Sequence, residues 1–95
     1  MSREEAIKAA VEGTGRSSVE ARRAAFANGD DVPEPARALI AKLVRDATTV
    51  TDDDMRAVAA SLGEDATYEL VVCAALGQAT RQLDAALAML DEDHT

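Results

Sequence analysis

From about Asp65 to Leu90 the chain contains no proline and a single glycine, Gly77, and most of the residues between are Ala, Leu or Val. That stretch constrains the fold more than any other feature. Alanine and leucine have the best helix propensities, and nothing in the run demands a turn, so it reads as one long helix. Its middle, Leu70-Val71-Val72-Cys73-Ala74-Ala75-Leu76-Gly77-Gln78-Ala79, is apolar almost all round. A helix apolar on every side is expected to be covered on every side. In a 95-residue chain, that places it at the centre of the fold and against another subunit. The residues expected at such an interface are Leu70, Cys73, Leu76 and Gly77. Gly77 costs a helix interior about 1 kcal/mol relative to Ala, and close helix–helix approach is the expected compensation.

The rest of the chain divides by its punctuation. A first helix is expected from about Ser2 to Glu12, with Ala6, Ile7, Ala10 and Val11 on one stripe, ended by Gly13-Thr14-Gly15. Ser17, with Glu20 three residues on, has the capping-box pattern that opens a second helix through Ala27. Asn28-Gly29 stops it. Val19 and Phe26 are its main anchors, so residues 1–32 read as a helical hairpin docked on the rest, or as a mobile arm. Pro33 and Pro35 suit the first turn of a third helix, where a missing N–H is harmless. Ala36, Leu39, Ile40, Leu43, Val44 and Ala47 follow at helical spacing. Thr48-Thr49-Val50 breaks the pattern. Thr51 then caps a short fourth helix with Asp52, Asp53 and Asp54 at its positive end and Gly63 at its C-terminus. Residues 33–95 form the expected helical core, closed by an acidic tail from Asp91. The fold class is all-α, a small bundle of about five helices.

Composition removes several functions. The net charge is −8, and the densest basic spot, Arg22-Arg23, has Glu20 beside it, so neither nucleic acid nor an anionic membrane is an expected partner. No apolar run approaches the ~20 residues of a membrane span, and Met1-Ser2-Arg3-Glu4-Glu5 lacks the apolar core of a signal peptide. The single cysteine, Cys73, makes no internal disulfide, which fits a reducing cytoplasm. It reads as a small buried hydrophobe, with no cationic neighbour in the sequence to activate it. His94 reads as a tail residue. Asp52-Asp53-Asp54 lacks the alternating ligands and glycine turn of a calcium loop, so no metal and no cofactor are expected. Glu69 and Arg81, polar groups beside the buried stretch, are expected to pair with each other or across an interface.

The stretch from Pro33 to Leu90 resembles the carboxymuconolactone decarboxylase family, which includes the alkylhydroperoxidase D-like proteins. The resemblance lies in the order of features and in Ala59-Ala60-Ser61-Leu62-Gly63-Glu64-Asp65-Ala66, which is similar to that family's small-residue turn before its long helix. Tyr68-Glu69-Leu70-Val71 and Thr80-Arg81-Gln82-Leu83-Asp84-Ala85-Ala86-Leu87 continue it. The resemblance implies an alkylhydroperoxidase D-like bundle assembled as trimers or hexamers. It also implies a Cys-x-x-Cys-x-x-x-His site at positions that here hold Thr48, Thr51 and Met55. A threonine hydroxyl forms no disulfide and Met55 relays no proton, so peroxidase chemistry through a cysteine pair is excluded and no catalytic residue is assigned. Two functions are left. One is an oligomeric structural or partner-binding subunit without redox chemistry. The other is a cysteine-free enzyme or binder of lactone-type acids, its pocket lined by Arg45, Asp46, Thr48, Thr51, Glu69 and Arg81.

Overall fold

A computed structural model describes residues 2–27 and 29–93. Among them are five α-helices, one 3-10 turn and no strand: α1 (Arg3–Glu12), α2 (Val19–Ala27), α3 (Ala36–Arg45), the turn Ala47–Thr49, α4 (Asp52–Leu62) and α5 (Glu64–Asp93). The all-α architecture and the long C-terminal helix are as the composition requires.

Local chemistry explains most boundaries. The Ser2 hydroxyl accepts from the Glu5 N–H and caps α1. Before α2 the sequence pattern is off by one residue. Ser18, not Ser17, accepts from the N–H three positions on, at Ala21 (3.1 Å), because the Ser17 side chain is directed elsewhere. Pro35 precedes α3, and its helical turns bury Ala36, Leu39 and Ile40. Thr51 and Asp54 form a complete capping box at the start of α4, and Gly63 closes the helix at φ 89°, a left-handed conformation that a side chain disfavours. With only Gly63 between them, α4 and α5 form a tight hairpin. The expected tail from Asp91 is instead helical as far as Asp93. Asn28, half of the predicted stop for α2, and His94 lie outside the described residues.

The core is one contiguous cluster contributed by every helix: Val11, Ala25, Val32, Ala36, Leu39, Ile40, Val58, Leu70, Cys73 and Ala74. The α1–α2 hairpin is therefore packed into the same interior as the rest. Helix α5 organises it. Ala66, Thr67, Leu70, Cys73, Ala74 and Gly77 are buried at three- and four-residue spacing on one of its faces. α2 lies parallel to that face and α1 antiparallel to it, with Cys73 against the Ala10 carbonyl and Asp84 against Arg3. A Cβ on Gly77 would overlap the carbonyl oxygen of Phe26 in α2. The sequence expectation that Gly77 marks a close helix approach holds, and the approaching helix belongs to the same chain.

At 1.5 Å per residue α5 is about 45 Å long. It runs well past the bundle, and from Arg81 to Asp91 every residue is exposed. The longest dimension is 51 Å and the radius of gyration 14.4 Å, against about 12 Å for a compact chain of this length. No helix among the described residues is long and apolar enough to cross a membrane.

Candidate functional site

Glu69 and Arg81 do not meet. Each holds one end of α2. The Glu69 carboxylate accepts from the Arg16 N–H (2.9 Å), the Ser17 N–H (2.8 Å) and the Ser17 hydroxyl (2.6 Å), just ahead of α2's first turn. The Arg81 guanidinium donates to the carbonyls of Phe26 (2.7 Å) and Ala27 (2.5 Å) at α2's other end. A carboxylate thus sits at the positive end of the α2 dipole and a guanidinium at the negative end. The twelve-residue spacing on α5, about 18 Å of rise, brackets the nine residues of α2, about 13 Å. Weakly hydrophobic, α2 has the Ser18 cap at its start and is held at both ends by charges borrowed from α5.

Around Glu69 the chain is crowded. Arg22 is only 3% exposed and donates to the Gly13 carbonyl (2.5 Å). A Cβ on Gly15 would overlap both the Arg22 guanidinium and the Glu69 carboxylate, so the loop between α1 and α2 closes over the pair with no side chain to spare. Burial pushes the Glu69 carboxyl upward. The hydrogen bonds from Ser17 and Arg16, with the field of Arg22, outweigh it and hold the group below its ordinary value. Burial also raises the Cys73 thiol, with Arg22 opposing and Glu69 adding. The thiol points at the Ala10 carbonyl (3.6 Å) and is nearly inaccessible, the setting of a structural cysteine rather than a nucleophile. In the sequence Arg22 stands out only as half of a basic pair. Its place three residues after Val19 and four before Phe26, the apolar anchors of that helix, was the available sign that it faces inward.

The remaining site candidates stand at the α3–α4 junction and are used there as caps. Asp46 accepts from the Thr48 N–H (3.1 Å) and hydroxyl (2.7 Å), and those bonds hold its carboxyl below the usual range. The Thr51 hydroxyl accepts from the Asp54 N–H (3.1 Å). Arg45 is exposed in the last turn of α3, where a cation suits the helix dipole. Lys42, which no sequence motif marks, donates to Asp54 (2.7 Å) and ties α3 to α4; that bond is the main reason the Asp54 carboxyl lies below its ordinary value. The proposed pocket residues are thus divided. Asp46, Thr48 and Thr51 serve one turn, while Glu69 and Arg81 serve the two ends of α2. A cleft of about 560 Å³ lies elsewhere, between α1 and α2. Ile7, Val11 and Phe26 form its floor, and the Arg23–Glu12 ion pair (2.6 Å) lies at its edge.

The expected interface residues are also redistributed. Leu70, Cys73 and Gly77 face their own chain, and only Leu76 is turned toward the outer side of α5. That outer side carries a second apolar stripe: Val72, Leu76, Ala79, Leu83, Ala86 and Leu90, flanked by Ala75, Gln82, Leu87 and Met89. Leu83 is 46% and Leu90 56% exposed, and Met89 more than either. The only charged residues between Val72 and Leu90 are Arg81 and Asp84, and both lie on the bundle side. The all-round apolar character of α5 therefore resolves into two opposite faces, one filled by the chain's own helices and one open. Among the described residues no group of His, Cys, Asp and Glu is arranged to hold a metal ion. Comparison of the chain with protein-family models, curated proteins and solved structures yields no match.

Proposed function

We propose that the chain is an oligomeric structural or partner-binding subunit without redox chemistry, an offshoot of the carboxymuconolactone decarboxylase-like group that has kept the helical frame. The observation that carries the reading is the division of labour on α5. Glu69 and Arg81 are engaged in holding α2, and the outer face offers other molecules apolar surface and no charge. Exposed apolar stripes of this extent on a small protein are characteristic of surfaces that dock. The burial of the one thiol, away from any cationic helix end, and the use of Asp46 and Thr51 as caps support the same reading.

The test uses the full chain recovered gently from cells that make it naturally. The expected result is a defined complex, of like or unlike subunits, that Leu83→Glu abolishes while circular dichroism shows the helices intact. A wild-type chain recovered alone as a monomer would count against the reading. So would a thermal shift with aromatic or lactone acids that Arg45→Ala removes, which would favour the small-molecule alternative.

A further inference from the structure

We infer that the outer face of α5 pairs with the same face of a second copy of this chain, antiparallel, about a two-fold axis beside Arg81; this rests on the reading of the chain as an interaction subunit and names its partner. The stripe advances by four and three residues in turn, Val72, Leu76, Ala79, Leu83, Ala86, Leu90, which is the heptad spacing of a helix seam. Leucines recur every seven residues at 76, 83 and 90, and the smaller residues Val72, Ala79 and Ala86 alternate with them.

Size alternation decides the partner and its direction. In a parallel, in-register pair, Leu would meet Leu and Ala would meet Ala, leaving swollen and empty layers. In an antiparallel pair centred beside Arg81, Leu76 lies across from Ala86 of the other copy, Leu83 from Ala79, and Leu90 from Val72. Each leucine then faces a smaller residue, the interdigitation that close packing needs. The pattern reads the same from either copy, as a two-fold contact requires. On one flank Gln82 meets the Gln82 of the other copy, and Ala75 meets Met89.

Charge agrees with this arrangement. Each copy carries a net charge of −8, so a contact between copies must keep charged side chains out of it. The stripe and these flanks carry none. The bundle packs on the opposite face of α5, so antiparallel pairing sends the two bundles to opposite ends and opposite sides. The seam from Val72 to Leu90 is about 27 Å long, an interface near the lower end of specific contacts.

Light scattering on the wild-type chain should give twice the 10.0 kDa of one copy, or a larger even multiple. Leu83→Glu should return it to a single copy. Register is tested by cysteines in a Cys73→Ala background. Gln82→Cys should oxidise readily to a disulfide-linked dimer. Met89→Cys alone should not, whereas mixed Ala75→Cys and Met89→Cys chains should cross-link to each other. A wild-type mass of 10.0 kDa, an odd-numbered assembly, or cross-linking of Met89→Cys as efficient as that of Gln82→Cys would overturn the pairing. Should Leu83→Glu unfold, the cysteine variants, which leave the stripe's own residues in place, still decide. A chain that is monomeric alone, yet holds an unlike subunit that Leu83→Glu releases, defeats self-pairing and leaves the interaction function standing. One that is monomeric and holds nothing defeats both.

Discussion

Gly77 is where one atom decides most. Replacing it with alanine improves intrinsic helix propensity by about 1 kcal/mol, yet the added Cβ meets the Phe26 backbone, which cannot rotate away. Overpacking of this kind typically costs about 1–3 kcal/mol. Gly77→Ala is expected to be destabilising on balance, seen as a lower Tm. Glu69 makes a prediction about pH. Its folded-state carboxyl lies below the ordinary value of 4.5, so its contribution is fully present above that value and is lost as pH falls through the lower folded one. Wild type should therefore exceed Glu69→Gln in Tm at neutral pH, with the gap narrowing as the medium is taken below 4.5. Cys73, buried and held as a thiol, should alkylate slowly with iodoacetamide in the native protein and rapidly once denatured. The sequence marked all three residues as unusual. It implied close helix approach for Gly77 and burial for Cys73 but set both against another subunit. It paired Glu69 with Arg81 or across an interface, whereas the Glu69 partners are mainly backbone N–H groups some fifty residues away.

At the scale of elements, capping chemistry was the most legible part. Thr51 and Asp54 were readable because a cap needs only residues three positions apart, and the structure forms that box in full. Thr51→Ala should lower stability by about 1 kcal/mol in chemical denaturation, and Thr51→Ser should recover most of it. α2 was harder. The capping-box pattern starts at Ser17, yet Glu69 takes the Ser17 hydroxyl and Ser18 caps the helix instead. The helix depends on α5 at both ends, so Arg81→Met should increase hydrogen exchange in the last turn of α2 while leaving α4 unaffected. Comparable protection of α2 in that variant would show that packing alone holds it. No reading of α2 by itself shows this dependence, because its hydrophobic pattern is weak and the stabilising charges lie on another element.

Across the whole molecule, the long helix is covered unevenly. Its buried residues end at Gly77, and from Arg81 to Asp91 every residue is exposed, Arg81 and Asp84 still reaching α2 and α1 with their side chains. In Leu83→Glu, amides near Leu70 to Gly77 should be among the most protected in the protein, and protection should fall steeply beyond Asp84. The chain alone determined that the fold is all-helical, that its longest helix is the last, and that this helix is apolar almost all round in its middle. These follow from propensity, capping and the distribution of apolar residues, which act over a few positions. Only the tertiary structure decided which face is satisfied within the chain and which is left open. It also directed Glu69 and Arg81 to opposite ends of α2 rather than to each other, and set Asp46, Thr48 and Thr51 to holding a turn rather than lining a pocket. The reason is geometric. A helix nearly uniform around its circumference carries no local signal of its orientation, so the order in which α1 to α4 pack against it fixes what each residue meets.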